Sequence, residues 1–202
     1  AVLLHNMSMI NKAHKVQKDT NICLVLAAGR SSRMDSFKPL LYWPGYSGTI
    51  IGTVLSSVIT AGLRAIVVAG YRAEELRNAL KDNNIEDFTI NREWENGMLG
   101  SIQAGLKRAQ SLSGGKNHGC FVCPGDMPFL NAETFRFLDE QVKSWPGSNS
   151  SSLFPCHNKK LGHPVWIPFE FMDAINGLAP SAKLQPYLLS RPWQCVETKN
   201  KG

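Results

Sequence analysis

The chain has 202 residues, 43% of them apolar and 19% charged, enough for one well-buried domain and barely enough for two. Nowhere does an apolar stretch approach the roughly 20 residues of a membrane-spanning helix, so no membrane association is expected. The net charge of +6 comes from dispersed basic residues without a Lys/Arg run or an interleaved aromatic stripe, which argues against a nucleic-acid surface and suits small phosphorylated ligands equally well.

Residues 1–20 mix helical and polar character and end in Lys18, Asp19 and Thr20. They read as an extension or linker, the tail of a fused N-terminal domain, ahead of one folded domain over 21–202. AVLL at the start is too short for the apolar core of a signal peptide. From Ile22 onward strand-like and helix-like segments alternate: a strand at 22–27, a helix at about 50–62, a strand at 64–69 and a helix at about 73–82. A strand at 86–90, a helix at about 98–110, a strand at 118–123 and a helix at about 131–144 follow. The alternation predicts a Rossmann-like α/β fold, a mostly parallel twisted sheet with helices on both faces. SWPGSNSSS at 144–152 marks a loop. The tail beyond it holds two short β-like pieces around a polar turn, short helices at 169–177 and 182–190, and a last strand-like stretch in WQCVETKNKG that reads as a chain cut short.

The five cysteines are an odd number without metal-knuckle spacing, and Cys23 lies inside an apolar strand, so a reduced, cytoplasmic compartment fits. Cys120 and Cys123 form C-x-x-C, a spacing found in redox motifs. On a strand, residues three apart point to opposite faces, and buried thiols are the expectation.

In open α/β sheets, ligands bind outside the carboxyl ends of the strands, so 28–38, 70–73, 91–101 and 124–128 are expected to line one crevice. Ala27, Ala28 and Gly29 leave room for a ligand at the main chain, where successive N–H groups form an anion-binding concavity. Arg30, Arg33 and Lys38 add cations to the same loop, which otherwise would be a turn with solvated basic residues. No G-x-x-x-x-G-K-[ST] and no strand-borne G-x-G-x-x-G is present, so the loop is neither a P-loop nor a dinucleotide fingerprint. Asp126, just past the end of a central strand, is either a turn-former or a Mg²⁺ ligand whose other positions come from phosphate oxygens.

L-A-A-G-R-S-S-R-M-x-x-x-K at 26–38, N-x-x-x-x-x-G-M at 91–98 with Ser101 following, G-D-M-P-F-L at 125–130 and G-H-P at 162–164 occur in the order seen in the molybdenum-cofactor nucleotidyltransferases. Over residues 22–197 the chain resembles the branch containing molybdopterin cytidylyltransferase and its guanylyl relatives. The resemblance implies that Leu26, Ala27, Ala28, Gly29, Arg30 and Ser31 hold the nucleotide, and that Arg33 and Lys38 neutralise its phosphates. It also implies that Asp126 binds Mg²⁺, that Asn91, Gly97 and Ser101 sit near base or ribose, and that Gly162, His163 and Pro164 face the acceptor. His163 considered alone reads as a hydrogen-bonded structural histidine. Asp35 stands where the family usually has Gly, Gly97–Ser101 replaces a serine-rich version, LAPSAKLQPYLL takes the place of G-D-x-G-A-R, and the usual acidic end is missing.

The implied activity is transfer of a nucleotidyl group from a nucleoside triphosphate to a phosphate acceptor such as molybdopterin, with release of pyrophosphate and with Mg²⁺ as cofactor. A-A-G at 27–29 resembles the cytidylyl branch more than the guanylyl branch, and that resemblance favours CMP over GMP. Transfer to a sugar or alcohol phosphate is the nearest rival, and a non-catalytic nucleotide-binding regulatory domain is the rival of another class.

Overall fold

Apolar runs alternating with amphipathic stretches fold, in a computed structural model that describes residues 20–30, 36–44, 48–81, 85, 87–179 and 181–198, into one eight-stranded sheet covered by helices. The 1–19 part of the extension, Ser31 and Arg33 of the phosphate loop, and 199–202 lie outside the described residues. The elements in chain order are β1 (Ile22–Ala27), α1 (Ile50–Thr60), β2 (Arg64–Ala69), α2 (Ala73–Ala79), β3 (Asp87–Ile90), α3 (Met98–Ser113) and β4 (Gly119–Pro124). They continue with α4 (Ala132–Ser144), β5 (Ser152–His157), β6 (Lys160–Leu161), β7 (Val165–Pro168), α5 (Met172–Asn176), α6 (Leu184–Leu189) and β8 (Trp193–Glu197).

The strand order is β3-β2-β1-β4-β7-β5-β6, with β8 paired to β5. The first four strands are parallel, Leu24 lying opposite Ile66 on one side and Val122 on the other. Beyond them β7 runs antiparallel to both β4 and β5, so the mostly parallel sheet carries an antiparallel extension. The tail's polar turn is a two-residue hairpin: Asn158 and Lys159 take φ values of 50° and 65°, the paired left-handed conformation of a type I′ turn, and set His157 opposite Lys160.

Side-chain alternation along β1 divides the core. Cys23, Val25 and Ala27 face α1, α2 and α4, whose apolar stripes include Val54, Leu76 and Leu138. Ile22 and Leu24 face α3, α5 and α6 through Leu106, Ile175 and Leu188. With both faces covered, β1 is a continuous apolar run rather than an alternating one. The same alternation sends Cys120 and Cys123 into opposite layers, both buried, where desolvation raises both thiols far above their ordinary range. Neither thiol faces the other as a redox pair would.

The helix ends are chemically marked. Thr49 caps α1 by accepting from the Gly52 N–H at 3.1 Å, and Asn131 caps α4 by accepting from the Thr134 N–H at 2.9 Å. Gly105 lets α3 lie down on the sheet, since a Cβ there would come within 2.8 Å of Leu24 Cδ1 and 2.9 Å of Val68 Cγ2. A buried carboxylate ties the same layers: Asp87 of β3 accepts from Arg64 of β2 at 2.6 Å and from Arg108 of α3 at 2.7 Å.

Candidate active site

The carboxyl ends of β1, β2 and β4 are stitched together by main-chain bonds. Leu26 O accepts from Gly125 N at 2.8 Å, and Ala28 O accepts from Tyr71 N at 2.9 Å. Asn91, next after β3, donates its N–H to Ala69 O at 2.8 Å. Four strand exits therefore share one floor, as the rule for open sheets requires. Above it Phe37 packs edge-on against Tyr71 with ring centroids 5.8 Å apart, and Tyr71 meets Trp94 at 5.3 Å. The Arg30 guanidinium lies 5.9 Å from the Tyr71 ring and that of Arg72 lies 5.4 Å from Phe37, which fixes two cations beside the loop.

Lys38 opens a single 3-10 turn, Lys38–Leu40, whose Pro39 is buried. That turn aims the ammonium across the crevice, and Lys38 Nζ stands 2.7 Å from Asp126 Oδ2, their side chains 36% and 43% exposed. Two residues separated by 88 positions thus form an accessible charge pair beside the Ala28–Arg30 main chain, of which Gly29 and Arg30 are exposed.

Asn91 and Ser101 are placed differently from their neighbours. Asn91 Nδ2 donates to Ser101 Oγ at 3.0 Å while its Oδ1 accepts from Glu93 N at 3.0 Å, and both residues are buried. They brace the 91–97 loop against the first turn of α3. Gly97 ends that loop with φ +118°, a conformation that suits glycine, and Met98 beside it is 67% exposed.

A cavity of about 470 Å³ lies at the same end of the sheet, with Leu26 and Pro124 at the exits of β1 and β4 in its lining. Buried side chains such as Val122, Phe154, Ile167 and Leu188 form its walls, and Leu26, Gly97 and the adjacent pair Gly162 and His163 reach it from three different segments. Pro164 is buried beside His163 and is not among the lining residues. Burial holds the His163 imidazole below its ordinary pKa, while a hydrogen bond with the Val122 backbone and the charge of Asp126 pull the other way. Its Nδ1 is buried without a hydrogen-bond partner among the described residues, an atom with capacity left for a ligand. The opposite wall comes from 181–188, within the stretch that stands in place of G-D-x-G-A-R and in which the sequence singles out no individual residue; Tyr71 and Trp94 are legible only as part of strand-exit segments.

Among the described residues no three His, Cys, Asp or Glu side chains are grouped to hold a metal. Among the described residues, then, a cation in the crevice is offered the Asp126 carboxylate, which fits Mg²⁺ bound mainly through phosphate oxygens and water rather than by an all-protein cage.

Comparison with known proteins bears on the same residues. The pattern of the MobA-like NTP transferase domain matches residues 23–194. Molybdenum cofactor cytidylyltransferase of Escherichia coli (strain K12) is 32% identical over 145 residues, 72% of this chain and 68% of that one. The bifunctional protein GlmU of Synechococcus sp. (strain CC9311) is 32% identical over 115 residues, 56% of this chain, which spans about a quarter (24%) of that relative. Rv0371c from Mycobacterium tuberculosis H37Rv superposes with a TM-score of 0.74 at 23% identity, over 89% of this chain and 88% of its own. The same protein, solved as a complex with manganese, gives 0.69 at 22% identity over 89% and 88%. No described helix is long and apolar enough to cross a membrane. The family match covers every described part of the crevice, and the chain belongs to the MobA-like NTP transferase family of nucleotidyltransferases.

Proposed function

We propose that the chain transfers a nucleotidyl group, CMP in preference to GMP, from its triphosphate to a phosphorylated acceptor, and that the transfer is centred on Lys38 and Asp126. The observation that carries this reading is the 2.7 Å approach of Lys38 Nζ to Asp126 at the joined carboxyl ends of the parallel strands, beside the exposed Gly29–Arg30 main chain. A phosphate oxygen of the acceptor attacks the α-phosphorus, the bond to the β-phosphate bridge breaks, and pyrophosphate leaves with the electron pair. The nucleophile is already anionic, so no general base is called for. What remains for the protein is alignment and neutralisation of charge.

Lys38 and Arg30 are suited to the second task, and Arg33 belongs to the same loop in sequence. Asp126 would hold Mg²⁺, which supplies charge neutralisation on the phosphates when bound. The manganese complex of the M. tuberculosis protein supports a divalent cation in this fold. Ala27–Gly29 and the E. coli cytidylyltransferase support CTP as donor. Gly162 and His163, which reach the cavity, are assigned to the acceptor, for which the molybdenum cofactor of the E. coli relative is the reference. A reduced compartment agrees with five free cysteines, four of them buried.

The test is pyrophosphate release with CTP and Mg²⁺ in the presence of acceptor. Lys38→Ala and Asp126→Ala should each lower turnover by a factor on the order of 10²–10³, the usual effect of removing one charge-stabilising group. Their unfolding midpoints should barely move, since an exposed pair contributes about 0–1 kcal/mol. Turnover equal to wild type in either variant contradicts the assignment.

A further inference from the structure

Resting on the nucleotidyl-transfer reading, we propose that the acceptor is a phosphate monoester with an apolar organic body, an alkyl, prenyl or aryl phosphate, and that the 470 Å³ cavity holds that body. The walls carry the argument. Val122, Phe154, Ile167 and Leu188 are at most 3% exposed, and Leu161 and Leu184 close the space from the hairpin and from α6. None of these side chains has a polar atom. The polar side chains on the cavity, His163, Ser181, Lys183 and Gln185, belong to two short segments, and the last three are at least partly open to solvent.

A pterin or a sugar placed among the apolar walls would lose water from its ring hydroxyls and amides and could recover side-chain bonds only where His163, Ser181, Lys183 and Gln185 reach the cavity. An apolar body loses nothing of that kind and gains from every methylene it buries.

The polar groups are distributed to match the other end of such a molecule. His163 lies within the field of Asp126 and keeps Nδ1 unpaired, so the cavity has a hydrogen-bonding group on the side nearest the charge pair. Pro124, two residues before Asp126, lines the same side. Lys38 and Asp126 do not line the cavity, and it approaches them through Pro124 and His163, so a phosphate held at that end has the apolar walls behind it. The stretch LAPSAKLQPYLL at 178–189, where the chain departs from the cytidylyltransferase pattern, supplies Ala182, Leu184 and Leu188 to the wall. The departure therefore falls on acceptor contacts and leaves the Lys38–Asp126 pair untouched.

The reaction balances without a co-reactant: one oxygen of the monoester forms a bond to the α-phosphorus, and pyrophosphate departs. The product is a nucleoside diphosphate esterified to the apolar alcohol.

A calorimetric series of ethyl, butyl, hexyl, octyl and decyl phosphate tests the cavity, and turnover with each of the four nucleoside triphosphates and Mg²⁺ tests the chemistry. Affinity should rise about two- to fourfold per methylene and level off once the cavity is full. Octyl phosphate should give a kcat/KM at least tenfold above glucose 1-phosphate. Leu161→Gln should raise KM for octyl phosphate about tenfold or more, and Ala182→Phe should bring the plateau to a shorter chain. Should one variant not fold, the other together with the wild-type series still decides. A flat length series, or preference for glucose 1-phosphate, overturns the proposal while nucleotide-dependent stabilisation lost in Lys38→Ala keeps the nucleotidyl reading. Absence of stabilisation by any triphosphate removes that reading and the proposal with it.

Discussion

His163 shows how one side chain can report on the site without taking part in the bond changes. Burial pushes its pKa below the ordinary value of about 6.5, whereas the unfolded chain keeps that value. Between the lowered pKa and about 6.5 the unfolded state binds the extra proton, so stability is full above that window and falls as pH drops through it. The difference in unfolding free energy between wild type and His163→Gln should therefore shrink from pH 7 to pH 5.5. Parallel pH profiles would contradict a buried neutral imidazole. The cysteines give a second residue-scale expectation. Burial keeps Cys23, Cys120 and Cys123 protonated and pushes Cys156 up to about 12, while Cys195 is exposed. Under native conditions a thiol reagent should label Cys195 alone among these five, with the others reacting only on unfolding. Rapid labelling of Cys120 or Cys123 would bring the redox motif back.

At the scale of elements, α3 carries two duties. Its first turn is braced by Ser101 against Asn91, and its middle rests on β1 and β2 at Gly105. Gly105→Val should cost about 1–3 kcal/mol through overpacking against Leu24 and Val68, read as a lower denaturant midpoint at unchanged slope. A midpoint equal to wild type would mean that α3 can lift from the sheet freely. The same helix explains a boundary that the sequence places early. The expected end near 110 falls before the observed one. In the structure Ser111 and Ser113 turn their hydroxyls onto the carbonyls of Arg108 and Gln110, both at 2.8 Å, and the helix runs on to Ser113. By contrast, β1 and β2 coincide with the expected 22–27 and 64–69, since runs buried on both faces leave little freedom in where a strand begins and ends.

Over the whole molecule, what could be read in advance was the part governed by local pattern and by the topology of parallel sheets. Strand exits at 28, 70, 91 and 125 converge because successive parallel strands all end on one side. The bond between Lys38 and Asp126 follows from that convergence, although the two are far apart in sequence. Contacts in the antiparallel extension were not legible. The place of β7 between β4 and β5, and of β8 beside β5, depends on long-range pairing that no local period encodes. The cavity wall at 181–188 belongs to that same region, and its lining was not legible for the same reason. Asn91 and Ser101 show the limit within the readable half: the motif brings them to the crevice, and only the folded chain reveals that each is engaged by the other.

Binding of a nucleoside triphosphate at the loop that carries Lys38 is open to thermal unfolding with Mg²⁺ and CTP, GTP, ATP or UTP in turn. A ligand at about 100 times its dissociation constant adds roughly 2.7 kcal/mol to the folded state, readily seen in the midpoint. CTP should stabilise the chain more than the other three, and the gain should be lost in Lys38→Ala. Midpoints unchanged by all four triphosphates, or a shift that survives in Lys38→Ala, would contradict binding there.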